Sequence, residues 1–344
     1  MNMNNYATYS EITSQTEAWA QALDIACSLV LPAAKKYDQV FFTGCGSTYY
    51  LSIAAASLYQ ELTGNTARAI SGGELFLNPQ IIYQNNNIDI ENKVLLVAIS
   101  RSGTTTETLR AVQNFRKQKR GDVLVIGNYY EELSNYAEYK IIIPNGQEES
   151  VAQTRSFASM YVATTAFCAR MAGREDLVKA MTPLPKVGND LIEKYEVTAR
   201  RIGEDLHFDR FYYLGSGIRY GVACEVNLKM KEMSLTHSEP FHFLEFRHGP
   251  KSMVDGNTAV VGLLSETNLG YERDVLNEIN DLGGRVITLA DNDADISFRS
   301  YIPEQVRTVL YLPILQLMSF YRSLAKGLNP DKPNNLTSVI KLDV

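Results

Sequence analysis

The chain alternates short, almost wholly apolar runs with longer stretches whose apolar residues return every three or four positions. Gln39 to Thr43 (QVFFT) is one such run. It ends in Gly44-Cys45-Gly46-Ser47, after which SIAAASLYQEL carries its apolar residues at helical spacing. The period thus switches from strand to helix across a tight turn. The same signature returns in FYYLGSGIRYGVACEVNLKMKEM, with Gly215 and Gly217 where the first copy has Gly44 and Gly46, and Glu232 where it has Glu61. A second unit follows in each copy. KVLLVAISRSGTTTETLRAVQNFRKQKRGDVLVIGN and TAVVGLLSETNLGYERDVLNEINDLGGRVITLADN both read strand, polar turn, helix, glycine, strand. The pattern is an internal duplication, which constrains the architecture more than any single motif.

Strands of near-continuous Val, Ile and Leu between amphipathic helices predict parallel sheets covered on both faces. The expected fold is therefore α/β, two doubly wound parallel-sheet domains in tandem. The expected division is an N-terminal helical segment over residues 1–36, a first domain over 37–182, a second over 190–328 and a tail over 329–344. Ser10 is the expected cap of EITSQTEAWAQAL, and helix is expected to about Lys36. Met181 to Asn189 (MTPLPKVGN), with two prolines and a glycine, is the expected link. Only the polar start, Met1 to about Thr8, is expected to be disordered.

Composition narrows the function. With 344 residues, 45% of them hydrophobic, the chain has material for two cores. Its net charge of −6 comes without a Lys/Arg block, so neither a nucleic acid nor an anionic membrane is an expected partner. No apolar run approaches a membrane span and no leader pattern opens the chain, so the expected location is cytoplasmic. Cys27, Cys45, Cys168 and Cys224 have none of the short spacings of zinc or redox sites and read as small buried residues.

In open α/β sheets ligands gather beyond the carboxyl ends of strands. There the turn Ser100-Arg101-Ser102-Gly103-Thr104-Thr105-Thr106 offers backbone N–H groups, helix-dipole charge and several hydroxyls at one point. Such a point binds phosphate. It matches no nucleotide motif, since no Gly-Lys-Ser/Thr follows Gly103 and Tyr49 stands where a dinucleotide fingerprint needs glycine. The alternative is that these hydroxyls only cap the helix. Downstream, Glu225, Lys229 and Glu232 recur at intervals of four and three, which places them on one helical face. They are either an acid–base cluster or a solvated face of ion pairs. His237, Glu239, His242 and His248 match no zinc spacing and their run contains Pro240, so no metal is expected. His207 lies outside every motif.

The stretches FFTGCGSTYY, AISRSGTTTET, ESVAQTRSF, LGSGIRYGVACEVNLKMKE and EFRHGP, in this order, resemble the sugar isomerase (SIS) family from about Val40 onward. Within it the chain resembles the isomerase half of glucosamine-6-phosphate synthases and the amino-sugar-phosphate deaminases and isomerases. The resemblance implies flavodoxin-like domains, a phosphorylated sugar or amino sugar as substrate, and no cofactor. It implies substrate contacts from Gly46, Ser47, Thr48, Ser100, Arg101, Ser102, Thr105, Val151 and Gln153. It makes Glu232 the base that moves a proton between C1 and C2, with Glu225 and Lys229 beside it. His248 would open the sugar ring from a neighbouring subunit, which implies a homodimer with composite active sites.

Three departures matter. The glutaminase domain of the synthases has no counterpart among these residues, so glutamine is not the expected nitrogen source. Ser338 stands where the synthases carry a tail lysine, with Lys341 three positions on. Gln153 and Arg155 replace a small residue and a lysine, which enlarges the donors near the sugar. The expected activity is ring opening and aldose–ketose isomerisation of an amino-sugar 6-phosphate such as glucosamine 6-phosphate, with ammonia release. A fructosamine-amino-acid 6-phosphate deglycase and a non-catalytic sugar-phosphate sensor remain as alternatives.

Overall fold

The computed structural model describes residues 3–32, 34–82, 93–119 and 121–342. In chain order, α1 (Ala7–Thr13) and α2 (Gln15–Ser28) lead into β1 (Gln39–Gly44), α3 (Ser47–Thr63), β2 (Ala67–Ser71) and α4 (Gly72–Leu77). Then come β3 (Val94–Ser100), α5 (Thr106–Lys117), β4 (Gly121–Gly127), β5 (Tyr139–Ile142), α6 (Arg155–Met171) and α7 (Glu175–Ala180). The second copy comprises α8 (Leu184–Glu204), β6 (Arg210–Leu214), α9 (Ile218–Ser234), β7 (His237–Phe241) and α10 (Phe243–Phe246). It continues with β8 (Thr258–Leu263), α11 (Leu269–Asp281), β9 (Arg285–Ala290), β10 (Ile296–Ser297) and α12 (Leu312–Ala325).

Among the described residues two five-stranded sheets result, both wholly parallel, ordered β2-β1-β3-β4-β5 and β10-β9-β8-β6-β7. Read from its β7 edge, the second sheet has the same winding as the first, the flavodoxin-like order. The expected doubly wound α/β fold is what forms. Its central strands explain why the apolar runs do not alternate. Every residue of β3 and of β8 is buried, because helices cover both faces of the sheet. In the first sheet Leu96, Ala98, Val123 and Val125 pack with Leu109, Val112 and Phe115 of α5. In the second, Tyr212, Val260 and Ala290 pack with Phe243, Val275 and Ile279. Each such large side chain removed from water contributes about 1.5–3 kcal/mol.

The duplication reaches the backbone angles. Gly46 caps α3 at φ 57°, ψ −124°, and Gly217 caps α9 at φ 57°, ψ −130°. This conformation is open to glycine and strained for other residues, so both turns need glycine at the same place.

The chain divides into two compact units whose segments interleave. One, here called carboxy-terminal, comprises Met1–Thr16, Glu148–Thr154 and Pro183–Leu336; the other, amino-terminal, comprises Glu17–Gln147, Arg155–Thr182 and Thr337–Val344.

The N-terminal segment differs from the expectation. Helix does not run from Ser10 to Lys36: it breaks at Ser14, ends at Ser28, and only a 3-10 turn spans Ala34–Lys36. Ser10 lies inside α1, whose N-cap is Tyr6 without a side-chain cap bond. The cap is tertiary instead. Asp331 accepts from Ala7 N at 3.0 Å, Thr8 N at 2.8 Å and Thr8 Oγ1 at 2.7 Å. Thr8 is consequently buried and ordered rather than part of a disordered start. At the expected link, Pro183 is the N-cap of α8 and Pro185 sits in its first turn, where proline initiates helix rather than breaking it. Cys27 is exposed and Cys45 half-buried, so only Cys168 and Cys224 are the buried residues expected; all four are free thiols.

Candidate active site

In the amino-terminal unit, β1 and β3 are neighbours, with Thr43 paired to Ala98, so the turns that follow them emerge side by side where the winding reverses. Gly46, Ser47 and Thr48 stand on the first turn. Thr48 Oγ1 accepts from Cys45 N at 2.9 Å and donates to Cys45 O at 3.0 Å, which fixes the turn. Ser47 and Thr48 are both buried. On the second turn Ser100 Oγ accepts from Gly103 N at 3.1 Å, and Ser102 Oγ accepts from Thr104 N at 3.2 Å. These two hydroxyls therefore do local work. Thr105 does not: it is the N-cap of α5 and makes no side-chain cap bond, so the simple capping alternative fails for it. Arg101, buried, donates from Nη2 to Ser338 O at 2.7 Å, and Leu342 N donates to Thr106 Oγ1 at 3.1 Å. The tail thus runs against this turn, with Ser338 at its arginine and Lys341 exposed.

In the carboxy-terminal unit the helical spacing does what it implied. On α9, Lys229 Nζ lies 3.3 Å from Glu225 Oε1 and 2.5 Å from Glu232 Oε2. The solvated-face alternative is excluded by burial, since Glu225 and Lys229 are fully buried and only Glu232 keeps side-chain exposure, at 19%. Burial acts to lower the Lys229 ammonium, but the charges of Glu225 and Glu232 and their hydrogen bonds outweigh it and hold its pKa above the usual lysine value. The lysine stays charged at neutral pH. Because β6 and β7 pair in parallel, α9 runs back against the strands, and Glu232 in its last turn lies toward their amino-terminal ends. The cluster is therefore on a helix side, not at the strand-end crevice where ligands of such sheets usually sit.

Val151 and Gln153 also belong to the carboxy-terminal unit, on the loop Glu148–Thr154. His248 is exposed, two residues past α10, with its N–H donated to Glu245 O at 3.0 Å. His242 stacks on Tyr220 with ring centroids 3.8 Å apart, and partial burial draws its pKa below the usual histidine value against the pull of Glu245. His207 is exposed and lies 3.2 Å from Gly256 O through Nε2. Among the described residues no three His, Cys, Asp or Glu side chains converge as metal ligands.

One cluster escaped sequence reasoning. At the turn after β8, the counterpart of the hydroxyl turn, the backbone donors are taken by the chain's own carboxylates. Glu272 Oε2 accepts from Ser265 N at 2.6 Å, and Glu304 Oε2 accepts from Glu266 N at 3.1 Å. Arg219, where the first copy has Thr48, pairs closely with Glu304 and lies 3.7 Å from Glu272. Glu304 is remote in sequence from the turn, so no local pattern announces it.

Two parallel-sheet α/β units of identical winding, one with paired hydroxyl turns and one with a buried lysine–carboxylate cluster, define a duplicated doubly wound α/β protein. The chain belongs to the SIS-domain family, whose model matches residues 34–170 and 207–314. Among curated proteins, the isomerizing glutamine–fructose-6-phosphate aminotransferase of Pyrococcus horikoshii is 29% identical over 323 residues, covering 90% of this chain and 52% of that protein. Its namesake from Sulfurisphaera tokodaii is 28% identical over 323 residues, covering 91% and 52%. The chain thus spans about half the length of these relatives. Among solved structures, the glucosamine-6-phosphate deaminase of Thermotoga maritima aligns with a TM-score of 0.80 at 26% identity, covering 98% of this chain and 100% of that one. The tagatose-6-phosphate ketose/aldose isomerase of Escherichia coli aligns with a TM-score of 0.85 over 100% and 99%, and at 22% identity it shows the fold alone. Among the described residues no helix is long and apolar enough to cross a membrane.

Proposed function

We propose that the chain is a sugar-phosphate isomerase, and more finely an amino-sugar-6-phosphate deaminase/isomerase acting on a substrate such as glucosamine 6-phosphate. The observation that carries this reading is the α9 cluster: a buried lysine held between two carboxylates, of which Glu232 alone reaches solvent. Names of relatives support it, since the two aminotransferases above are named for fructose 6-phosphate and the Thermotoga maritima protein is a glucosamine-6-phosphate deaminase.

In this reading the turns carrying Gly46, Ser47, Thr48, Ser100, Arg101, Ser102 and Thr105 hold the phosphate and sugar through hydroxyls and helix-start N–H groups. Val151 and Gln153 contact the sugar. His248, supplied by a second copy of the chain in a homodimer, moves the proton that opens the ring. Glu232 then takes the C2 proton of the open-chain aldose and returns it to C1, while the Lys229 ammonium steadies the oxygen charge that develops between these steps. Glu225 keeps that ammonium charged. The resulting C2 imine takes up water and releases ammonia, leaving the ketose phosphate. No cofactor enters.

The test is a panel of 6-phosphosugars and fructosamine phosphates assayed for ammonia, amino acid and ketose, with Glu232→Gln beside the wild type. Ammonia and ketose from an amino-sugar phosphate, with kcat reduced about 10²- to 10⁴-fold in the variant, is the expected result. Activity that survives the substitution removes Glu232 from its role. Amino-acid release in place of ammonia makes the enzyme a deglycase. Binding without C2 proton exchange or amine release makes it a sensor.

A further inference from the structure

The loop Glu148–Thr154 sits in the middle of the amino-terminal copy in sequence, yet it is part of the carboxy-terminal unit. What holds it there is a set of braces from distant segments. Glu11 of α1 is 3% exposed, and its carboxylate accepts from Glu149 N at 2.6 Å, from Ser150 N at 3.2 Å and, closely, from Ser150 Oγ. Glu148 closes the other end, its Oε1 accepting from Thr154 N at 2.6 Å and Thr154 Oγ1 at 2.9 Å. In between, Val151 N donates to Asp331 O at 3.2 Å. The loop that results presents Gln153, whose Oε1 is buried without a hydrogen-bond partner among the described residues.

A carboxylate on a short helix needs no burial to stabilise that helix, and taking it out of water is costly unless hydrogen bonds compensate. Burial pushes the Glu11 pKa up and the neighbouring Glu148 charge adds to this, while the bonds from Ser150 and Glu149 pull it back. The compensation comes wholly from the loop, through charge-assisted bonds that are stronger and more directional than neutral ones. We propose that Glu11 is a positioning residue: it sets the backbone of the Glu148–Thr154 loop so that Val151 and Gln153 face the sugar. The inference rests on the phosphosugar reading above, and it adds to that reading a residue from outside the five matched stretches.

The experiment pairs steady-state kinetics on glucosamine 6-phosphate with amide hydrogen exchange over residues 148–154, for wild type, Glu11→Ala, Glu11→Gln and Ser150→Ala. In Glu11→Ala the loop exchanges faster and KM rises about tenfold to a hundredfold while kcat moves far less, because the loop grips substrate and transition state alike. Glu11→Gln retains a carbonyl acceptor for the two N–H groups and recovers most of the affinity. If Glu11→Ala does not fold, Ser150→Ala, which removes one donor and leaves the helix intact, shows the same direction with a smaller rise. Faster loop exchange with wild-type KM overturns the positioning role, and unchanged exchange overturns the brace. A wild-type chain that turns over no sugar phosphate in the panel overturns the functional reading, and the substrate role of the loop with it, while the exchange data still decide the brace.

Discussion

The two copies share strand order, turn glycines and helix lengths, yet they have been put to opposite uses. In the amino-terminal copy the turn after the central strand keeps its hydroxyls, and α3 carries Ala54 and Leu58 where α9 carries Glu225 and Lys229. In the carboxy-terminal copy the equivalent turn is filled by Glu272 and Glu304, with Arg219 locking them, and the helix carries the charges. One fold thus offers two independent places for chemistry, the strand-end turn and the helix flank. Each copy carries polar chemistry at one and closes the other, the amino-terminal copy with apolar residues on α3 and the carboxy-terminal copy with its own ion pairs at the turn.

The sharpest way to break this comparison is to change the same position in both. Glu232→Gln is expected to lower kcat by about 10²- to 10⁴-fold, whereas Glu61→Gln, its exposed counterpart on α3, leaves turnover at the wild-type level. Equal losses in the two variants would remove the asymmetry.

Next comes the buried ion cluster. Lys229→Met strips the charge partner from fully buried Glu225 and is expected to destabilise the protein by about 3–5 kcal/mol, read from the denaturant midpoint. Transplanting both residues of the first copy, as Glu225→Ala with Lys229→Leu, removes charge and counter-charge together and is expected to restore most of that stability while activity stays lost. The pH dependence follows with a definite sign. Because the folded-state pKa of Lys229 is raised, its stabilisation is complete below the usual lysine value of 10.5 and fades only as pH rises through the higher folded value. Alkaline unfolding curves should show that loss in the wild type and not in the double variant.

A smaller effect is expected at the sealed turn. Glu304→Ala frees the Glu266 N–H and takes from buried Arg219 its nearer partner, at a loss of about 1.5–3 kcal/mol in stability with kcat unaffected. The smallest effect concerns the helix ends. Gly64 terminates α3 in the left-handed region at φ 70°, and Leu235 terminates α9 there at φ 48° although half of it is exposed. Leu235→Gly, which copies the first helix end into the second, is expected to gain up to about 1 kcal/mol, measured by thermal melting.

Much of this was legible in the residues. The strand–turn–helix alternation is a local property, and the duplicated glycines fix where each turn begins, so the fold class follows from periodicity. The 225–229–232 spacing likewise puts its three side chains on one helical face. What the pattern did not reveal is burial: the same spacing describes a solvated face, and only packing in the fold decides that Glu225 and Lys229 lie inside. Three of the missed residues share one property. Glu11, Asp331 and Glu304 each act on backbone groups far away in the chain, so their neighbours in sequence read as an ordinary helix face or loop. Ser10 fails as a cap because the helix starts three residues before it, at Ala7, where the first N–H groups, those of Ala7 and Thr8, are met by Asp331.

The grip of Asp331 on the first turn of α1 also bears on how the chain comes into being. Thr8 and Asp331 stand 323 positions apart, and closing so long a loop must await nearly all the intervening residues. During synthesis the opening helix therefore emerges from the ribosome long before its anchor exists. Docking of that helix, with the Glu11 brace it carries, then waits for the Asp331 segment, so a chain stopped short of that segment lacks the set loop however well its first sheet has folded.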